Sequence, residues 1–138
     1  MSITIYADDV RGPDRNLTPR PRVGSVVMID EQYLQDAFGG DDEFLQEVLE
    51  IYVSSSELLK VDLIDALAIE DQPRVRSIAH TFKGSSRSIG ANEFATRCEE
   101  LEKAIEWPDI LAAAQTMLRN LPPLLLACRK RIAEIPAP

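Results

Sequence analysis

The sequence contains little cysteine and no long apolar run, and each shortage excludes a class of protein. Its two cysteines, Cys98 and Cys128, are too few for the disulfide framework of a small secreted domain. No stretch approaches the roughly 18–20 apolar residues that cross a bilayer as a helix. The first residues lack a basic segment followed by a long apolar one, which argues against a signal peptide. We therefore expect a cytoplasmic protein that binds no membrane.

Positive charge and histidine are also scarce. Lys and Arg number 15 against 23 Asp and Glu, so the net charge of −8 argues against nucleic acid as a partner. The only histidine is His80, and a metal site needs several converging ligands, so we expect neither a metal nor another cofactor in this chain. The 138 residues are enough for one domain with its own hydrophobic core.

Helical periodicity dominates the rest of the sequence. Apolar residues recur at spacings of three and four, and no segment alternates as a half-exposed strand would. Stripes and capping residues predict helices over residues 30–38, 41–69, 73–90, 92–106 and 107–135, the last one kinked near Pro122. Four long helices with short connections predict an all-α, antiparallel four-helix bundle, which the short N-terminal helix caps at one end.

Residues 1 to about 25 fall outside the helical pattern. Pro13, Pro19 and Pro21 interrupt any period there. We therefore predict a flexible, solvated N-terminal extension over residues 1–25 and a folded domain over residues 26–138.

Both cysteines fall within apolar stripes. Cys98 lies with Phe94, Leu101 and Ile105 on the fourth predicted helix, and Cys128 lies on the stripe of the fifth. We interpret both as core residues and not as reactive thiols.

The third predicted helix places His80 on its outer face. On a helical wheel, an apolar group falls nearly opposite the histidine: Val75, Ile78, Phe82 and Ile89. A second group falls within about 60° of it: Arg76, Lys83, Gly84 and Arg87. The sequence therefore predicts an exposed histidine among basic neighbours.

Five interpretations of His80 follow, and three of them fit poorly. The wheel disfavours a histidine buried in the core, and the lack of further ligands disfavours a metal site. A Ser–His hydrolase needs an orienting group and an oxyanion site, but Ser85 and Ser86 turn toward the core and no G-x-S-x-G is present. An exposed histidine without a role, on a bundle that only binds partners, remains open beside a phosphoryl acceptor.

The neighbours of His80 suit a phosphoryl acceptor. A free imidazole is largely neutral and nucleophilic at pH 7. Lys83 lies one turn away and would neutralise a phosphoryl group, with electrostatic support from Arg87 and Arg76. Gly84 costs about 1 kcal/mol relative to alanine inside a helix, and it would leave room for a partner beside the imidazole.

At this point the sequence resembles a known family. The resemblance is to histidine-containing phosphotransfer (HPt) domains, the relay modules of two-component signalling, and it spans about residues 26–135. Phe82 stands where the family usually has Leu, which changes only core volume. The segments that carry the resemblance are Ala79-His80, Lys83-Gly84-Ser85-Ser86, Gly90-Ala91, Phe94-Ala95, Cys98 and Leu101-Glu102.

The resemblance implies a role for each site residue. His80 would be phosphorylated, Lys83 would interact with the phosphoryl group, and Gly84 would let a receiver domain dock. Glu102 falls where the family often has a Gln or Glu that orients the imidazole. The expected protein is a monomeric phosphocarrier without ATP-binding or kinase motifs, and its partners are receiver domains of response regulators or hybrid histidine kinases, which supply Mg²⁺.

Two alternatives remain beside this relay role. The chain could be a non-phosphorylated scaffold that binds a signalling partner, or the phosphoacceptor domain of a chemotaxis-type histidine kinase. For receiver recognition we expect an exposed apolar surface near His80, built from the short helix and the start of the long one. Leu34, Phe38 and Phe44 are candidates, although for each of them singly ordinary core packing is the favoured alternative.

Overall fold

The computed structural model describes residues 28–137. The extension predicted over residues 1–25 lies outside this range, as does Pro138. The described part contains helices and no strand, which confirms the all-α prediction. Its five helices are α1 Glu31–Phe38, α2 Asp42–Ala68, α3 Gln72–Ser88, α4 Asn92–Lys103 and α5 Trp107–Ala133. None of these helices is long and apolar enough to cross a membrane.

Aspartates start the first three helices. In each case the carboxylate accepts a hydrogen bond from a backbone N–H three residues further on, which typically stabilises a helix by about 1 kcal/mol. The pairs are Asp30 with Tyr33, Asp41 with Phe44 and Asp71 with Arg74, at 3.2, 3.0 and 3.2 Å. The first two caps stand where the sequence predicts helix starts.

Helices α2 to α5 form the predicted bundle. Neighbouring helices pack in the order α2, α3, α4 and α5, with α5 returning to α2. The three connections between them are short, so consecutive helices run antiparallel.

Helix α1 is fixed to one end of this bundle. It packs on α2, and Arg131 of α5 binds Glu31 at 2.6 Å. The N–H of Asp30 donates to the carbonyl of Gly90 at 2.9 Å. Gly90 has a φ of 76°, and a Cβ there would lie 3.2 Å from the Asp30 carbonyl, so both backbone conformation and close approach require glycine.

The core contains the apolar stripes predicted from the sequence. On α3 these are Val75, Ile78 and Phe82, and Ile89 follows at its C-cap; all four are buried. Cys98 and Cys128 are fully buried, and burial raises the pKa of each thiol to about 12. Both cysteines are therefore core residues, as predicted.

Helix α4 is shorter than predicted, and Ile105 is not part of its buried stripe. The helix ends at Lys103, and Ala104 adopts an extended conformation with a ψ of 138°. Ile105 then lies in the connection to α5 and is 71% exposed. The chain has to leave the axis of α4 before Trp107 to begin an antiparallel helix, and this reversal overrides the helical spacing.

Helix α5 continues through Pro122 and Pro123 without interruption, as its apolar phase predicts. Both prolines are exposed, so the carbonyls that they leave without an intrahelical donor lie on the solvent side of the helix. The predicted kink at Pro122 stays a prediction.

A polar contact joins α2 to α3 inside the core. The hydroxyl groups of Tyr52 and Ser86 lie 2.7 Å apart, and both residues are buried. Burial raises the pKa of Tyr52, so the phenol is neutral and free to donate. Ser56 is also buried, and its hydroxyl has no hydrogen-bond partner among the described residues.

We expect Ser86→Ala to cost about 1–2 kcal/mol of unfolding free energy, because it leaves the buried Tyr52 hydroxyl without its partner. Ser56→Ala removes a buried hydroxyl that has no partner, so we expect it to be neutral or slightly stabilising. Denaturant unfolding of the two variants measures the difference. Equal destabilisation by both substitutions would contradict the assigned hydrogen bond.

Candidate functional site

His80 lies in the middle of α3 on the outer face of the bundle. The flanking residues Ala79 and Phe82 are fully buried and hold the helix against its neighbours. The histidine side chain itself is 68% exposed. The structure thus places His80 as the helical wheel predicts, on a face that a large partner can reach.

Glu102 of α4 connects His80 to Lys83. Its Oε2 lies 2.8 Å from His80 Nδ1, and its Oε1 lies 2.7 Å from Lys83 Nζ. The carboxylate therefore bridges two side chains that are three residues apart on α3. The sequence places Glu102 here only through the family resemblance, because nothing in its local pattern says that α4 brings it across to α3.

The Glu102 carboxylate determines where the imidazole carries its proton. The ion pair with Lys83 lowers the pKa of Glu102 against an opposing effect of burial, and the contact with His80 lowers it further. An ionised carboxylate only accepts hydrogen bonds, so the Nδ1–H of a neutral imidazole at His80 donates a hydrogen bond to Oε2. In that tautomer Nε2 carries no proton, and as part of a side chain that is 68% exposed it can act as a nucleophile.

Lys83 lies beside His80, but its charge is already compensated. Its side chain is 17% exposed and forms the 2.7 Å ion pair with Glu102. A phosphoryl group arriving at Nε2 would therefore compete with Glu102 for Lys83.

Arg87 and Arg76 differ in what they bind. Arg87 donates to Glu99 at 3.1 Å, and Lys103 binds the same carboxylate at 2.8 Å. Arg76 instead donates from Nε to the backbone carbonyl of Glu102 at 3.2 Å. The structure thus joins Arg76 to the His80–Glu102 pair, whereas Arg87 is held by Glu99, and electrostatic support by Arg87 stays a prediction.

Gly84 leaves bare surface next to His80. It lies on the helix outside, and a Cβ at this position would meet nothing within 4 Å. Its backbone is not in the left-handed region. Neither packing within the described structure nor backbone conformation therefore requires a glycine here.

The three candidates for an exposed apolar surface have different environments. Leu34 is 1% exposed, so its prediction as a docking residue is wrong. It is the only buried residue of α1 and packs into the core of the bundle. Phe38 is half-buried and lies edge-on to Phe44, with 5.4 Å between ring centroids. Phe44 is 50% exposed and remains a candidate.

Phe44 belongs to an exposed apolar stripe on α2 that sequence reasoning missed. Ile51 and Leu58 follow it at intervals of seven residues and are 57% and 70% exposed. A spacing of seven keeps side chains on one side of a helix. We call Phe44, Ile51 and Leu58 the α2 stripe. The spacing was visible in the sequence, but it did not show that no other helix covers this side.

Two contacts between α2 and α3 place the α2 stripe beside His80. Tyr52 meets Ser86, and further along α2 Asp62 binds Arg74 at 3.7 Å, as antiparallel helices require. His80 lies midway between Ser86 and Arg74, which puts it level with the turn of α2 around Leu58. Leu58 is one turn from Asp62, so it lies on the flank of α2 that faces α3.

Comparisons with known proteins agree with this geometry. The family described as Hpt domain matches residues 47–129. The chain is similar to a crystal structure of histidine-containing phosphotransfer protein B (HptB) from Pseudomonas aeruginosa PAO1, with a TM-score of 0.70 and 26% sequence identity. That match covers 79% of this chain and 97% of the other chain. No curated protein matches the sequence.

We expect Glu102→Ala to move the proton of the neutral imidazole from Nδ1 toward Nε2, because the acceptor at Nδ1 is lost. His80 is the only histidine, so ¹⁵N NMR of the histidine ring at mildly alkaline pH reports this tautomer without overlap. Glu99→Ala is the matched control on the same helix and should leave the tautomer unchanged. Finding the proton on Nε2 in the unsubstituted protein would refute the assignment.

Proposed function

The chain belongs to the Hpt domain family, and we propose that it accepts a phosphoryl group on His80 from the aspartyl phosphate of one receiver domain and passes it to another. The observation that carries this proposal is the 68% exposed side chain of His80, whose Nδ1 lies 2.8 Å from the carboxylate of Glu102, so that Nε2 is the nitrogen left without a proton. A bundle that only binds partners has no need of this arrangement.

Every bond that forms or breaks in the proposed transfer joins the phosphoryl group to His80 or to the receiver aspartate. His80 Nε2 attacks the phosphorus in line, the Nε2–P bond forms, and the P–O bond to the aspartyl carboxylate breaks. The carboxylate leaves as an anion, and the Nδ1 proton of His80 stays hydrogen-bonded to Glu102. The second receiver reverses these steps with its own aspartate as the nucleophile.

Lys83 and Glu102 have distinct roles in this proposal. Glu102 orients the imidazole and stabilises the positive charge that the imidazole gains when Nε2 bonds to phosphorus. Lys83 lies 2.7 Å from Glu102 and would share its ammonium group between that carboxylate and the phosphoryl oxygens. We propose that Mg²⁺ and the remaining catalytic groups come from the receiver domain, so that this chain is a phosphocarrier and not a kinase.

We propose that a receiver domain docks over Gly84 and the α2 stripe. The bare surface at Gly84 adjoins His80, and Leu58 lies level with His80 on the neighbouring helix. On the side of α3 that faces α2, the exposed side chains next to His80 include the small ones of Ser77 and Thr81. A partner can thus bury exposed apolar side chains while its aspartate reaches Nε2.

A transfer experiment tests the proposal directly. Mixed with a phosphorylated receiver domain and Mg²⁺, the protein should acquire a label that is acid-labile and base-stable, and His80→Gln should acquire none. If no receiver of the same organism labels the unsubstituted protein, the relay role is wrong and a scaffold role takes its place. Equal labelling of His80→Gln would mean that another residue is phosphorylated.

Two substitutions at Gly84 separate stability from docking. Gly84→Ala should raise the unfolding free energy by up to about 1 kcal/mol, because its Cβ meets open space in a helix. Gly84→Gln should slow transfer from a phosphorylated receiver by about tenfold or more, since its side chain occupies the docking surface. Direct phosphorylation of His80 by phosphoramidate, a donor too small to need that surface, should be unaffected. Unchanged transfer from the receiver would refute docking over Gly84.

A further inference from the structure

Three side chains of α3 converge on the single residue Glu102. His80 and Lys83 bind its carboxylate oxygens, and Arg76 donates from Nε to its backbone carbonyl at 3.2 Å. Arg76 precedes His80 by four residues, so the two side chains are neighbours on one helix face. The hydrogen bond to Glu102 holds the Arg76 side chain at the C-terminal end of α4, at the residue whose carboxylate binds His80.

Arg76 differs from the other basic residues around His80 in having no carboxylate partner among residues 28–137. Lys83 binds Glu102, whereas Arg87 and Lys103 both bind Glu99. Among the described residues Arg76 makes a hydrogen bond only through Nε, to a neutral carbonyl, and the residue is exposed. Its Nη donors have no partner among residues 28–137, and Arg76 lies one helical turn from His80 on the same face of α3.

The charges among the described residues suggest a function for the Arg76 guanidinium. The ammonium of Lys83 compensates the carboxylate of Glu102, and Arg87 and Lys103 share the carboxylate of Glu99, whereas Arg76 binds no carboxylate among residues 28–137. A phosphoryl group brings two negative charges to Nε2, and a guanidinium binds phosphoryl oxygens through paired N–H donors. We propose that Arg76 is a phosphoryl-binding residue of the His80 site, which engages the group while it is transferred to and carried on the imidazole.

This inference rests on the proposed function, and a small phosphodonor tests it without a receiver domain. Phosphoramidate transfers its phosphoryl group to His80 as the Nε2–P bond forms, its own P–N bond breaks and ammonia leaves. Arg76→Ala should lower the rate of phosphohistidine formation, followed by ³¹P NMR, by about fivefold to tenfold, a range typical of a partly exposed charge-assisted contact. Arg76→Lys should restore much of that rate because it keeps the charge.

Arg119→Ala is the matched control. Arg119 is an exposed arginine on α5 that contacts Thr116 and binds no carboxylate among the described residues. Its removal changes the net charge of the protein equally, but it should leave phosphohistidine formation unchanged. Equal effects of the two substitutions would overturn the assignment, because they would reflect net charge alone.

A purely structural role for Arg76 predicts a different result. If Arg76 only caps α4 and positions Glu102, Arg76→Ala should shift the imidazole tautomer measured by ¹⁵N NMR, as Glu102→Ala does, and Arg76→Lys should not restore the rate. We expect an unshifted tautomer and a restored rate. If the unsubstituted protein forms no phosphohistidine with either donor, the proposed function fails; if it forms phosphohistidine and Arg76→Ala does so equally fast, only the role of Arg76 fails.

Discussion

The reacting face of the bundle depends on the carboxylate of Glu102. It accepts from His80 Nδ1 and pairs with Lys83, so it determines which nitrogen of the imidazole is nucleophilic and how much cationic charge is free beside it. Glu102 comes from α4, whereas the residues that it binds come from α3. The chemistry therefore requires these two helices to be packed in one register, which the edge-on contact of Phe82 and Phe94, 5.5 Å between centroids, helps to fix.

The sequence predicts those parts of the site that lie on one helix. His80 faces solvent because the apolar period of α3 assigns the opposite side to the core, and this needs no knowledge of neighbouring helices. Leu34 and Ile105 were assigned wrongly because their exposure depends on where a short helix docks and where the chain reverses. Leu58 was missed for the same reason, since only the assembled bundle shows which side of α2 stays uncovered.

Gly84 and Gly90 both lie near the site, but glycine occupies the two positions for different reasons. Gly90 adopts a φ of 76° and approaches the backbone of Asp30, so the fold itself excludes a side chain there. Gly84 has an ordinary helical backbone and open space around it. Glycine destabilises the helix relative to alanine, and no contact within the described structure offsets this loss. Intramolecular packing among the described residues does not account for Gly84, whereas the proposed docking of a receiver domain would.

A phosphocarrier must release its phosphoryl group as readily as it accepts one, and this limits how strongly the site can hold it. If Lys83 were free, its full charge would stabilise the phosphorylated state; the ion pair with Glu102 means that binding phosphate costs part of an existing interaction. Arg76 binds no carboxylate among residues 28–137, but it is exposed and its charge is screened by solvent. Lys83 is shared with Glu102, and Arg76 is screened by solvent. Both effects would favour reversible transfer over a stable phosphohistidine.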